Sequence, residues 1–387
     1  MTFNIEAILR SMLAESPRIS DLNFTVGRPP QVEIDSALVP LSIAPLDRPL
    51  TAADTRALAE TFLGGGRHLR ETLEETGSCD GAYALPDGPR FRVNIFTASQ
   101  DLSIVLRVLP NEVPNLASLQ LPETVGDIPE LINGLVLVTG ATGSGKSTTL
   151  AAIVDAINNT RAVHVVTLED PVEFLHQHKK STINQRELGV DFDTFAAGLR
   201  ASLRQAPKVI LVGEMRDRET VEIALKAAET GHLVLSTLHT IDAGQTINRI
   251  VGLFEHSEQA LLRNRLAQTL RYVIGQRLVP RVDEGRVAIQ EIMGMNLRIR
   301  ELILQGEDSE KTFYQVMAES KPYGMQTFDH HIVEHFKEGA ITREMALAYC
   351  TDESAVNRMI DNHLAQLGEN TSDLGRLEML HSRRQGL

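Results

Sequence analysis

The chain has no tryptophan, and aromatic residues make up only 4% of its 387 positions. With 42% hydrophobic residues it can still fill ordinary cores, so those cores are expected to be aliphatic. Cysteine is scarce as well. Cys79 and Cys350 lie far apart and fit no metal-ligand spacing. A disulfide between them stays open on the sequence, with a reducing compartment the expected setting. No apolar stretch approaches the roughly 18–20 residues that span a bilayer. Met1-Thr2-Phe3-Asn4-Ile5-Glu6 has neither a basic region nor a long apolar run, so no signal peptide is expected. Membrane contact is therefore expected only through partners. A basic excess is missing too: the net charge of −13 argues against a general nucleic-acid binder. There is no low-complexity segment and no internal repeat. The length suggests roughly two domains.

What is present is one dense motif. Leu135-Val136-Leu137-Val138 reads as a buried strand, and Thr139 leads into Gly140-Ala141-Thr142-Gly143-Ser144-Gly145-Lys146-Ser147-Thr148, followed by an amphipathic helix. Gly140 to Ser147 fits G-x-x-x-x-G-K-[ST]. Glycines let the backbone curl so that N–H groups point at phosphate oxygens, and the helix offers its positive end to the same anion. Lys146 can reach the terminal phosphates, and the Ser147 hydroxyl can meet Mg²⁺. A tight strand–helix turn without ligand would not explain a lysine and a serine at the helix mouth. The expected cofactors are ATP and Mg²⁺.

Before the motif, Ile5, Ile8, Leu9, Met12 and Leu13 form a helical stripe. Residues 22–26 and 32–34 alternate as a hairpin around Gly27-Arg28-Pro29-Pro30. Thr51 to Leu63 reads as a helix stopped by Gly64-Gly65-Gly66, and strands are expected at 79–85, 91–98 and 102–109. This is a small α+β domain, residues 1–109, with a mostly antiparallel sheet. Pro110, Pro114 and Pro122 mark a linker, 110–122. From 123 to 305 short apolar strands (163–168, 209–213, 233–238) alternate with helices (148–159, 195–203, 220–229), which means an α/β domain with a parallel sheet covered on both faces. A helix is expected from Ser257 to Ile274, a hairpin from 278–282 and 287–292, and a helix from Asn296 to Gln305. Residues 306–387 read as a helical annex with a polar tail after about Gln366.

In a parallel sheet, ligands bind beyond the carboxyl ends of the strands. The strand ends here carry the phosphate loop, Glu169-Asp170, Glu214 and His239, with His232 at the other flank of the last strand. Phosphoryl transfer to water needs metal, phosphate clamps, a group that orients water and a cation. Glu214 can polarise water or sit in the Mg²⁺ shell through a water, and Glu169 sits on the neighbouring strand end. His232 and His239 are taken as contacts to the γ-phosphate or sensors of its loss. Arg90 and Arg92 share one face of a strand, and Arg107 lies on the next. They are either solvent-facing or fingers on a nucleotide, in cis or across a subunit boundary.

These segments resemble a known family. Thr167-Leu168-Glu169-Asp170-Pro171-Val172-Glu173-Phe174 resembles its acidic box, Ile210-Leu211-Val212-Gly213-Glu214-Met215-Arg216-Asp217 its Walker B segment, and residues 228–240 its histidine box. They resemble the secretion-superfamily ATPases, and specifically the PilT/PilU type IV pilus retraction (twitching motility) ATPases. The likeness runs from Ser20-Asp21-Leu22 to Phe328-Asp329. It implies a PAS-like N-terminal domain, a RecA-like ATPase domain, nucleotide between them and a homohexameric ring. It also implies Glu214 as catalytic glutamate assisted by Glu169, His232 and His239 as γ-phosphate reporters, and Arg90, Arg92 and Arg107 as candidate arginines. The implied partner is an inner-membrane pilus platform protein, which places the chain in the cytoplasm at that membrane. Pilus-assembly and type II secretion ATPases resemble the chain too, but typically carry a four-cysteine zinc module that two cysteines cannot build. The family's Ala-Ile-Arg-Asn-Leu-Ile segment stands here as Arg298-Ile299-Arg300-Glu301-Leu302-Ile303. With the polar tail, that keeps an accessory paralogue acting in mixed assemblies beside the principal motor.

Overall fold

The structure, a computed structural model, describes residues 3–35, 37–64, 67–86, 88–110, 112–309 and 311–368. Gly65 and Gly66, expected to help stop a helix, and the tail from 369 onward lie outside the described residues. The described residues form two units. The first holds the chain up to 113 together with 169–177 and 185–194; the second holds the rest.

In the first unit the stripe read from the sequence becomes α1 (Ile5–Leu13), capped by Asn4, with Ile5, Ile8, Leu9 and Met12 buried. Then come β1 (Ile19–Phe24), β2 (Gln31–Ile34), β3 (Ala37–Pro40), α2 (Ala52–Leu63), α3 (Arg67–Thr76), β4 (Ser78–Ala84), β5 (Arg90–Ala98) and β6 (Asp101–Leu109). The six strands make one antiparallel sheet, ordered β3-β2-β1-β6-β5-β4. Thr51 and Asp54 form a reciprocal capping box at the start of α2. Arg48 also donates to the Asp54 carboxylate at 2.7 Å, and this hydrogen bond holds that carboxyl well below the usual range. The helix α3 was not anticipated because it buries none of its residues, so no apolar stripe announces it.

The second unit begins with α4 (Glu123–Gly126) and β7 (Gly134–Thr139), then α5 (Lys146–Thr160), β8 (His164–Glu169), β9 (Thr182–Glu187), α6 (Phe195–Ser202) and β10 (Val209–Val212). It continues with α7 (Arg218–Glu229), β11 (Leu233–Leu238), α8 (Ala243–Val251), α9 (His256–Thr269), β12 (Leu270–Pro280) and β13 (Arg286–Gly294). The strand order is β13-β12-β7-β11-β10-β8-β9. From β12 to β8 the neighbours run parallel, and β13 closes the edge antiparallel to β12. Every residue of β7, β10 and β11 is buried, as a sheet covered on both faces requires.

One expectation fails here. The helix expected to run from Ser257 to Ile274 ends at Thr269, and residues from 270 form the start of β12. Leu270, Tyr272, Val273 and Ile274 pair with Leu135 to Val138 of β7, so sheet hydrogen bonding overrides an apolar spacing that suits either period.

The chain ends in α10 (Leu297–Gln305), α11 (Phe313–Glu319), α12 (Phe328–Lys337), α13 (Arg343–Tyr349) and α14 (Glu353–Gln366). Phe328, Ile332, Val356 and Ile360 pack with Val279, Val287 and Ile289 from the β12–β13 hairpin. Asp329 is fully buried there. Its carboxylate accepts from Thr351 N at 2.6 Å, Asp352 N at 3.0 Å and the Tyr314 hydroxyl at 2.8 Å. Among the described residues, no helix is long and apolar enough to cross a membrane. Replacing Asp329 by Ala removes, at a fully buried position, the acceptor that all three donors share. Urea unfolding of Asp329→Ala should show a loss of about 3 kcal/mol or more, against near-native stability for a surface control.

Candidate functional site

The buried strand β7 delivers the chain into the glycine turn. Gly140, Gly143 and Gly145 have φ of 145°, 78° and 85°, a region that side chains disfavour. At Gly140 space forbids a side chain as well. A Cβ on Gly140 would stand 2.3 Å from the Gln276 carbonyl oxygen and 2.6 Å from Ser144 Oγ. Gly145 is the left-handed N-cap of α5 and brings no capping side chain. The helix therefore starts at Lys146, two residues earlier than expected, and its first-turn N–H groups lack intrahelical partners. Ala141, Thr142, Gly143 and Ser147 are exposed, Gly145 and Thr148 half-buried, and Ser144 and Lys146 buried. Lys146 Nζ donates to the carbonyls of Gly140 and Ala141, both at 2.9 Å, which holds its charge at the mouth of the loop.

Two strands on the same edge add ionisable groups. The chain leaves β10 at Val212, and Gly213 N donates to Leu168 O at 2.7 Å. Glu214 follows with its side chain only 14% exposed. It pairs with Arg216 Nε at 2.6 Å and lies 3.5 Å from His239 Nε2, just beyond β11. Thr237 donates to Gly213 O at 2.6 Å and Met215 N to Thr237 O, so the two strand ends are tied together. Carboxylate and imidazole thus stand on the carboxyl edge onto which β7 also opens.

His232 is not with them. It precedes β11, at the amino end of a six-residue strand, and His239 follows the other end. At about 3.3 Å per residue the two are roughly 20 Å apart along the strand. His232 Nδ1 bonds the Ala227 carbonyl at 2.9 Å, closing the last turn of α7. The expectation of two histidines at the ligand edge is corrected to one, because residues on either side of a strand face opposite edges of the sheet.

Glu169 closes β8 and belongs to the first unit, where its Oε1 accepts from Gln185 Nε2 at 3.0 Å. In the same unit β5 buries Phe91, Val93 and Ile95 and turns Arg90 and Arg92 to its other face. Arg92 stands directly opposite Arg107 of β6, so the three arginines share that face. Arg107 pairs with the buried Asp21 at 3.0 Å, and Arg92 lies 3.5 Å from Asp80. Arg90 Nη2 donates to Val172 O at 3.0 Å, while its buried Nη1 has no hydrogen-bond partner among the described residues.

The Type II/IV secretion system protein family matches residues 85–348. The chain is 41% identical to the "Type IV pilus retractation ATPase PilT" of Pseudomonas aeruginosa, over 84% of this chain and 93% of that one. It belongs to that family, among its PilT/PilU-type pilus retraction ATPases. The type IV pilus ATPase PilU of the same organism is 36% identical over 95% of this chain and 96% of its own. A crystal structure of the pilus retraction motor PilT with bound ADP superposes with a TM-score of 0.83 at 40% identity, covering 92% of this chain and 99% of that one. The fold is accordingly an N-terminal domain joined to a RecA-like ATPase domain, and the protein is an ATPase of pilus retraction.

Sequence reasoning passed over Glu291 on β13. It is 2% exposed, and its Oε1 accepts from Ala243 N at 2.8 Å, at the head of α8 and four residues after His239. Burial pushes its carboxyl from 4.5 up to about 7. A raised carboxyl pKa makes the folded state hold a proton that the unfolded chain releases, so stability falls as pH rises from 4.5 to 7 and then levels. The cost is on the order of 3 kcal/mol. Glu291→Gln removes that dependence. Melting curves should show the variant gaining on the native protein between pH 5 and pH 7, with no further gain at pH 8.

Proposed function

We propose that this chain hydrolyses ATP on the loop 140–148 and drives pilus retraction as a homohexamer. The observation that carries the reading is the loop itself: a buried parallel strand, three glycines at positive φ of which Gly140 has no room for a side chain, an uncapped helix start, and a lysine held at its mouth. Main-chain N–H groups there would grip the β- and γ-phosphates, and Lys146 would exchange its two carbonyl partners for phosphate oxygens. Mg²⁺ supplies charge neutralisation between those phosphates when bound. Among the described residues no group of three His, Cys, Asp or Glu could hold a metal alone. The residues suited to it are the exposed Ser147 hydroxyl and, through water, Glu214, which fits an ion that arrives with the nucleotide.

Glu214 is the base that orients the attacking water, and Arg216 and His239 hold it aimed. His239 reports on the γ-phosphate. Glu169 assists, fixed by Gln185. The cation for the developing charge comes from Arg90, Arg92 or Arg107, in the same chain or a neighbouring copy. Arg90 is favoured because its Nη1 has no other hydrogen-bond partner among the described residues. The ring would work at the cytoplasmic side of the inner membrane against a pilus platform protein. It would do so alone or beside a paralogous retraction ATPase, since both PilT and PilU align over most of the chain.

Phosphate release by the purified chain tests the reading. Lys146→Ala should abolish turnover and weaken nucleotide binding. Glu214→Ala should keep ATP bound while turnover falls at least about 100-fold. Particle mass should correspond to six copies when ATP is present. Native-like turnover in Glu214→Ala would remove the role given to that residue.

A further inference from the structure

The loop's inner side is met by a polar side chain from the neighbouring strand. Within β12, Ile274 and Gly275 pair with Val138 and Thr139 at the end of β7. Gln276 comes next, and so lies against the turn rather than the strand. It is 2% exposed. Its Nε2 donates to Ser144 O at 2.6 Å, and its Oε1 accepts from Thr149 Oγ1 at 2.7 Å and from Gln290 Nε2 at 2.9 Å. The amide orientation follows from its partners: a backbone carbonyl only accepts, so the NH₂ group must face Ser144.

This contact bears on the loop's geometry through peptide planarity. The C=O of Ser144 and the N–H of Gly145 belong to one trans peptide and point in opposite directions. When Gln276 draws the Ser144 carbonyl toward β12, the Gly145 N–H is turned away from β12. Thr149 lies in the first turns of α5, so the same amide holds the loop at two points, five residues apart. It also accounts for Gly145, where a Cβ would stand 2.8 Å from Gln276 Nε2.

We propose that Gln276 is a positioning residue for nucleotide binding, setting the peptide planes of the phosphate loop while Gln290 holds Gln276 from behind. Gln290 is fully buried on β13. Its N–H donates to His331 Nδ1 at 2.9 Å, and its carbonyl accepts from Gln326 Nε2 at 2.9 Å. The backing therefore reaches from the loop to α12. The inference rests on residues 140–148 being the phosphate loop, and the experiment separates the two.

The probe is a fluorescent ADP analogue with Mg²⁺, titrated into the full chain well below its melting temperature. Binding by the native protein is required by the loop reading itself, and its absence overturns both. Given native binding, Gln276→Leu should raise the Kd at least tenfold, equivalent to about 1.4 kcal/mol. KM for ATP should rise in parallel and kcat change less. Gln290→Leu, which does not touch the loop, should raise the Kd severalfold. A lower melting temperature with Kd values within twofold of native would mean that these residues only support the fold, and would overturn the proposal. Should Gln276→Leu fail to fold, the nearly isosteric Thr149→Val serves instead. A raised Kd there supports the inference, and an unchanged one sinks it.

Discussion

A loop that turns its N–H groups toward an anion must turn the carbonyls of the same peptides elsewhere, and those carbonyls still need partners. Much of the second unit answers that requirement. Gln276 takes the carbonyl of Ser144, and Lys146 takes those of Gly140 and Ala141 until phosphate oxygens replace them. The answer comes partly from within the turn and partly from β12, which is why the antiparallel β12–β13 addition sits beside β7 rather than at the far edge. An isolated strand–turn–helix would have to leave these groups to water.

The parts legible in the sequence were those whose physics is local. A strand of four apolar residues, a glycine turn and a lysine at a helix start occupy consecutive positions, and their geometry follows from φ preferences alone. Alternation placed Arg90 and Arg92 on one face because period two needs no knowledge of partners. The boundary at Leu270 was not legible. Tyr272, Val273 and Ile274 are buried or half-buried only because β7 and β13 flank them, and no local signal separates that run from the end of an apolar helix. Gln276 was lost with it. Its signal was a glutamine beside a glycine within an apolar run, which acquires meaning only once the run is known to be a central strand. His232 failed for a simpler reason. Reading two histidines as flanking one strand says that they are neighbours in sequence, and a strand separates its two ends as far as its length allows.

The charges show the same logic of compensation. Glu214 is mostly withdrawn from solvent, yet it has Arg216 at 2.6 Å and His239 nearby, so its orientation is constrained. Among the described residues Glu291 has no ion-pair partner within reach, and burial, the largest influence on it, outweighs the Ala243 N–H and the more distant Arg277. Two carboxylates in one unit are thus pushed toward different tasks by what surrounds them. The first stands at the strand ends between a guanidinium and an imidazole, and the second holds the head of a helix.

The C-terminal helices could have been seated by hydrophobic contact alone, since Phe328, Ile332, Val356 and Ile360 already supply an apolar face. Instead the interface includes the Asp329 carboxylate with three donors, and His331, whose Nδ1 must be unprotonated to accept from Gln290 N. Burial and the nearby His335 lower the His331 pKa to about 4, which keeps that acceptor available near neutral pH. Apolar surfaces tolerate sliding, whereas these bonds do not. Moving α12 by one turn, about 5.4 Å, would strand the Gln290, Thr351 and Asp352 N–H groups together. The fully buried Gln290 N–H alone costs about 1–3 kcal/mol when orphaned. The α12 segment is therefore seated in one register or released from it, with no gradation between. In a protein whose loop is braced from that same side, this makes the brace rigid by construction.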